Sequence, residues 1–278
     1  MNDIIIGIKT TWPGLVAGLL IAAICAYIGV YVVLKRIVFV GASLAQISSA
    51  GIALAFLLGA SFPFASHHPL AISMVVTLLG TLLYSQQSLS RKVPQESIIG
   101  IGYLVASALS LMFIVRSPKG LEEVKELLDG SIITLTQSDL IVMASIFFGV
   151  ALTHFLFYKQ FLFVSFDREV AATQGYKTRL WELLFYLVMG LTIALSIQYA
   201  GLLSVFAYMV IPAVTGLLVA RRMSTAFTVA IISAVISTFI GYCWSIQSSD
   251  LPTSPPTIAV ASVILAFVWV SRRFAKEG

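Results

Sequence analysis

Residues 11–60 have the sequence TWPGLVAGLLIAAICAYIGVYVVLKRIVFVGASLAQISSAGIALAFLLGA, in which Lys35 and Arg36 are the only charged residues. The apolar stretch on each side of this pair exceeds the roughly 20 residues that a helix needs to cross a hydrocarbon core of about 30 Å. The segment therefore predicts two membrane-spanning helices that are joined by a short charged turn.

The composition of the whole chain has the same character. Of its 278 residues 59% are apolar and 10% are charged, and the mean hydropathy is +1.00. These values lie outside the range of soluble globular domains and predict an integral membrane protein. The first residues, MNDIIIGIKTTWPG, lack the basic start and the cleavage site of a secretory signal, so we expect the first apolar stretch to be retained.

The gaps between charged residues divide the chain into nine predicted spans. Their limits are 11–34, 38–60, 69–86, 98–115, 139–158, 181–198, 200–219, 225–245 and 257–271. We therefore predict an all-α polytopic helical bundle that forms a single transmembrane domain over residues 1–278. Only residues 198–201 separate the sixth and seventh spans, and the chain there is either a tight reversal or one broken helix with a re-entrant piece.

The distribution of positive charge orients the spans. Alternate loops hold thirteen of the seventeen Lys and Arg residues, and the other loops hold four. Because positive residues are retained on the cytoplasmic side, we expect the N-terminus outside and the C-terminus in the cytoplasm. Membrane topology accounts for the net charge of +5, which does not imply a nucleic-acid partner.

Motifs for catalysis are absent from the sequence. It contains neither an HExxH metal motif nor a GxxxxGK[ST] phosphate loop. An intramembrane serine protease would need a base, and the only histidine in a span, His154, is expected at the cytoplasmic interface. We therefore predict no enzymatic activity, no catalytic residue and no cofactor. His67 and His68, in an outer loop, form either an ordinary solvated turn or a contact for an incoming metal ion.

The second span holds the polar residues that best suit a translocation path, Ser43, Gln46, Ser48 and Ser49. Ser43 and Gln46 share one side of a helix because they lie three residues apart. A buried glutamine amide must face protein or water and not lipid. Two interpretations are open for Gln46, which either lines the path or joins two helices. Serines in spans also suit close helix packing.

Two loops have the pattern of short helices. The inner segment 159–180 is the longest cytoplasmic piece, and Asp167 and Glu169 suit the start of a helix there. Gly175 suits its end, because glycine adopts the left-handed conformation found just past a helix. The outer segment 116–138 has charges at helical spacing and predicts an amphipathic surface helix.

Five segments, taken in order, resemble the membrane subunits of zinc/manganese-type ATP-binding-cassette (ABC) importers. They are GASLAQISSAGIALAFLLG (41–59), ESIIGIGYLVASAL (96–109), LLDGSIITLTQSDL (127–140), SFDREVAATQGYKTR (165–179) and AGLLSVFAYMVIPAVTGLLVA (200–220). The likeness extends over nearly the whole chain. It implies a permease subunit of an ATP-driven importer for zinc, manganese or a metal-containing substrate, in the cell (inner or plasma) membrane of a prokaryote.

The same resemblance implies the partners. Separate cytosolic ATPase subunits would dock on the basic inner face, above all on 159–180, with Asp167, Glu169 and Gly175 in the coupling element. A soluble extracytoplasmic substrate-binding protein would deliver the substrate to the outer face, at 116–138 and 246–256. A second permease subunit, identical or related, would complete a dimer within the lipid bilayer.

One departure from the family concerns the metal ligands. The family's second span has an aspartate and a histidine four residues apart on the metal path, and alignment on Gly41 and Leu44 places Ala42 and Gln46 there. Alanine offers no ligand, and a neutral amide is a poor substitute for carboxylate or imidazole. Three hypotheses are open: weaker ligands pass the ion, a second permease supplies the ligands, or the substrate is a metal chelate or another solute.

The alternative function is that of a self-sufficient secondary transporter or channel for a non-metal solute. Such a protein usually has a buried charge or a broken helix at its ion-binding site. The break at 198–201 is the only candidate in this sequence.

The charge distribution predicts that residues 86–97, 159–180, 220–224 and the C-terminal RRFAKEG face the cytoplasm. Cysteines introduced at positions 91 and 177 should stay unlabelled when intact cells receive a membrane-impermeant thiol reagent, and should react after the cells are opened. A cysteine in place of His67 is the outer control. Ready labelling of position 91 or 177 from outside would overturn the orientation.

Overall fold

The computed structural model describes residues 10–59, 62–85, 94–117, 135–248 and 251–277, and within these ranges the chain forms helices and no strands. The described helices are α1 Trp12–Leu34, α2 Val38–Leu58, α3 Pro63–His67, α4 Pro69–Ser85, α5 Gln95–Arg116, α6 Gln137–Leu156, α7 Tyr158–Phe166, α8 Arg168–Thr173, α9 Thr178–Ala200, α10 Leu202–Val219, α11 Met223–Gln247 and α12 Ser254–Glu277. Most of the outer segment 116–138 lies outside the described residues.

Nine of the helices correspond to the nine predicted spans. Eight are long and apolar enough to cross a membrane, and α4, with 17 residues, is a shorter apolar helix. This confirms the all-α transmembrane architecture. Several helices extend beyond the predicted limits, as α12 does at both ends, because polar residues that flank an apolar stretch continue the helical hydrogen bonding.

The break between the sixth and seventh spans separates two full-length helices. The helix α9 ends at Ala200 and α10 begins at Leu202, with Gly201 alone between them. Their lengths are 23 and 18 residues, so each is long enough for a complete crossing. The structure therefore has two spans at this position, and neither helix is a short re-entrant piece.

The chain divides into two compact units. We call them the terminal unit (residues 1–33, 131–149 and 199–278) and the central unit (residues 34–130 and 150–198). The single transmembrane domain over 1–278 stays a prediction.

In the central unit, α2 packs against α4 and α5. A Cβ atom added to Gly51 on α2 would lie 2.8 Å from the backbone Cα of Ser73 on α4, so the absence of a side chain permits this close approach. Next to it, the hydroxyl oxygens of Ser48 and Ser73 are hydrogen-bonded at 2.8 Å. The helix that carries the predicted path residues is thus held firmly by its neighbours.

In the terminal unit, α10, α11 and α12 pack against one another. The hydroxyl of Ser204 on α10 donates to that of Ser254 at the start of α12, at 2.6 Å. Near the end of α11, the Tyr242 hydroxyl donates to the backbone carbonyl of Thr11 at 2.9 Å. In this unit, hydrogen bonds from hydroxyl groups therefore connect the ends of helices. In the central unit, such bonds connect the sides of helices.

Candidate functional site

Ala42 and Gln46 lie four residues apart on one side of α2, and both side chains are half-buried. Among the residues that the structure describes, none is hydrogen-bonded to the Gln46 amide. An amide within a membrane needs hydrogen-bond partners. Within the described residues the Gln46 amide therefore differs from the serines of α2, which are hydrogen-bonded to neighbouring helices.

The three serines predicted beside Gln46 are buried and take part in hydrogen bonds between helices. The pairs are Ser43 with Tyr84 on α4, Ser48 with Ser73 on α4, and Ser49 with Ser110 on α5. These pairs confirm that serines in the spans support close helix packing. Their place on a translocation path stays a prediction.

The described residues contain no group of three or more His, Cys, Asp or Glu side chains that could hold a metal ion. His67 ends α3 and His68 follows it, and both side chains are exposed. The ring of His68 lies against that of Phe64, with 4.6 Å between the centroids. The described part of the chain therefore has no pre-formed metal centre to replace the missing pair at positions 42 and 46.

His154 lies in the last turn of α6, and its place at the cytoplasmic interface stays a prediction. Its side chain is only 1% exposed and stacks on Phe161, with 4.6 Å between the ring centroids. Phe161 belongs to α7, a helix that the sequence analysis did not predict, and Trp181 at the start of α9 packs on the same ring at 5.9 Å. The apolar residues of α7 thus anchor the inner segment to α9 within the central unit.

The short helix predicted to start at Asp167 and Glu169 is confirmed as α8, Arg168–Thr173. Asp167 is its N-cap, because the Asp167 carboxylate accepts a hydrogen bond of 3.0 Å from the backbone N–H of Val170. Glu169 lies in the first turn, where the positive end of the helix dipole favours a carboxylate. A cap of this kind stabilises a helix by about 1 kcal/mol.

Gly175 closes α8 as predicted. Its φ of 85° is in the left-handed region. The N–H of Tyr176 donates to the carbonyl of Ala171, and that of Gly175 donates to Ala172, both at 3.1 Å. These two bonds form a Schellman motif, which fixes the direction in which the chain leaves the helix. Between its two caps α8 is displayed outward, since Ala171 is its only buried residue.

Three charged side chains that the sequence analysis did not connect lie together beside α8. The guanidinium of Arg168 pairs with the carboxylate of Glu182 on α9, with 3.2 Å between Nη2 and Oε2. The pKa of Lys35 is lowered, mainly because the side chain is buried. The negative charge of Glu182 opposes this effect, and the positive charge of Arg168 adds to it. Glu182 is only 5% exposed. Its position, as a lone acidic residue just inside the predicted span 181–198, is the sequence signal that could have identified it as a functional candidate.

Comparison with known proteins assigns the chain to a family. A family model described as the ABC 3 transport family matches residues 8–272. The chain belongs to the ABC 3 transport family. Because the match covers nearly the whole chain, it includes α2, α8 and the charged residues around α8.

Several relatives of this ABC 3 protein are named for manganese. The chain is 27% identical over 255 residues to "Manganese transport system membrane protein MntC" of Halalkalibacterium halodurans, covering 92% of this chain and 85% of that one. It is 21% identical over 267 residues to "Manganese import system permease protein ScaB" of Streptococcus gordonii, covering 95% of this chain and 92% of that one.

A solved structure shares the fold. The chain superposes on a chain of PsaBC from Streptococcus pneumoniae, determined in complex with Fab, with a TM-score of 0.83 and 18% identity, covering 96% of this chain and 95% of that one. Together with the apolar helices, the family makes this chain a multi-pass permease of a prokaryotic plasma membrane and not an enzyme.

Proposed function

We propose that this chain is the permease subunit of an ATP-driven importer for a divalent transition metal, with manganese as the first candidate and zinc as the second. The observation that carries the proposal is the family match over residues 8–272, together with relatives named for manganese transport. ATP would be hydrolysed by separate cytosolic subunits.

The proposed complex has three kinds of partner. Two ATPase subunits dock on the cytoplasmic face, a soluble binding protein delivers the ion to the outer face, and a second permease subunit completes the path. The choice between an identical and a related second subunit follows from the ligands. Because Ala42 and Gln46 offer no charged ligand, a related subunit with a carboxylate and an imidazole would supply what this chain lacks.

Purification with the proteins encoded beside it, followed by reconstitution in liposomes, tests the proposal. Uptake of radioactive Mn²⁺ should require ATP and the binding protein, and excess Zn²⁺ should compete. Liposomes without ATP are the matched control. Uptake that an ion gradient drives equally well without ATP would favour a secondary transporter and overturn the proposal.

The proposed docking element for the ATPase subunits is α8. Its outer surface is exposed, and its two caps together with the Arg168–Glu182 ion pair hold it in one orientation. A rigid element of this kind would pass a displacement of the ATPase subunits on to the permease without deforming. Asp167, Glu169 and Gly175 would then act by maintaining the shape and direction of α8.

Gly175→Val should lower metal uptake and transport-stimulated ATPase activity together. Apart from its chain neighbours, no atom of the described residues lies within 4 Å of a Cβ placed at this position, so the effect comes from the left-handed backbone, which costs a residue other than glycine about 1–2 kcal/mol. Asparagine tolerates this conformation, so Gly175→Asn is the matched control and should retain most activity. Normal coupling in Gly175→Val, at an unchanged level in the membrane, would remove α8 from the proposed mechanism.

Gln46→Leu should reduce uptake, because it removes an amide on α2 that forms no hydrogen bond with the described helices and is therefore left for the path. A net loss of about 1 kcal/mol per hydrogen bond corresponds to a fall of about fivefold. Ile47→Leu, one residue further along α2, is the control for packing. Unchanged uptake in Gln46→Leu would exclude Gln46 from the path.

Direct titration of the purified subunit addresses the ligands. The wild-type subunit alone should bind free Mn²⁺ or Zn²⁺ weakly, and the double change Ala42→Asp with Gln46→His should strengthen binding because it adds a carboxylate and an imidazole. Tight binding by the wild type that Gln46→Leu leaves unaffected would show that the ion uses a different site.

A further inference from the structure

Three charged side chains lie near one another between α8 and the turn before α2, all within the central unit. Arg168 is the first residue of α8, and its partner Glu182 is buried in the second turn of α9. Lys35 lies in the turn before α2, with its Nζ 5.3 Å from the centroid of the Phe185 ring one turn further along α9. Because Phe185 lies three residues after Glu182 on α9, Lys35 and Arg168 approach the same part of α9 from two different cytoplasmic elements.

The turn that contains Lys35 is short and constrained. Only Arg36 and Ile37 separate Lys35 from the first residue of α2. Arg36 has a φ of 58°, which is the left-handed region that residues other than glycine rarely adopt. Because only two residues separate them, a displacement of Lys35 would be passed on to the start of α2.

We propose that Glu182 is a positioning residue that transmits movement of α8 to α2, through Arg168 on one side and Lys35 on the other. This inference rests on the proposed function, in which the ATPase subunits dock on α8 and α2 lines the path. Without the carboxylate, the two cations would repel each other across a partly buried space. The start of α2 would then no longer follow α8.

The first test measures Mn²⁺ taken up per ATP hydrolysed by the reconstituted complex. Glu182→Gln should lower this ratio by about 2- to 30-fold, the range expected for residues in a coupling network, while ATP hydrolysis continues. The triple inversion Lys35→Glu, Arg168→Glu and Glu182→Arg keeps both attractions and should restore much of the ratio. Arg221→Gln, which removes an exposed cation from another cytoplasmic turn, is the matched control and should leave the ratio unchanged.

The partial inversion distinguishes three coupled charges from a single ion pair. Arg168→Glu with Glu182→Arg restores the pair between α8 and α9 but places a cation beside Lys35. Thermal stability should recover in this variant, whereas uptake per ATP should stay low. A normal ratio in Glu182→Gln, or full recovery of the ratio in the partial inversion, would overturn the proposal.

A second readout does not depend on the transported substrate. Spin labels at the exposed positions Phe39 on α2 and Gln174 at the end of α8, in a chain without Cys25 and Cys243, report how the two elements move in the complex with its ATPase subunits. ATP binding should shift both labels relative to the membrane in the wild type, and in Glu182→Gln only the label at Gln174 should shift. Movement of Phe39 that persists in Glu182→Gln would overturn the inference, whereas absence of Mn²⁺ uptake by the wild type would count against the proposed function alone.

Discussion

Lipid offers no hydrogen bonds, and this constraint shapes the whole molecule. Every backbone N–H and C=O in the hydrocarbon must be satisfied within the protein, which a helix achieves by itself. Side-chain hydroxyls inside the membrane meet the same requirement by pairing across helices, as Ser48 does with Ser73 and Ser204 with Ser254. Small polar residues therefore hold neighbouring helix faces together, and the close contact at Gly51 belongs to the same packing.

The polar residues of α2 divide into two groups under this constraint. Its serines are hydrogen-bonded to α4 and α5, so they hold the helix in place. Gln46 differs, because within the described residues its half-buried amide has no hydrogen-bond partner. In the proposed importer a neutral amide would interact weakly with a passing cation, and a second subunit with charged ligands would then complete the path.

Charged residues are excluded from the middle of the spans and lie mostly at the cytoplasmic ends. In the proposed mechanism, some of them fix the position of α8 and couple it to α2. The short helix α8 is capped at both ends, and Arg168 ties it to the buried carboxylate of Glu182. Burial lowers the pKa of Lys35, which lies beside the start of α2, and the negative charge of the same carboxylate opposes this effect. In the proposed mechanism, one acidic residue would thus connect the docking element with the helix that lines the path.

The sequence by itself determined the membrane-spanning class, the nine spans and both ends of α8, because apolar length, capping residues and a glycine at the helix end act over a few neighbouring residues. Tertiary structure alone decided the interactions of the serines, the burial of His154 and the grouping of Lys35, Arg168 and Glu182. Ser49 and its partner Ser110 are 61 residues apart in the chain, and no local pattern specifies which helix faces meet. The packing of helices against one another makes that choice.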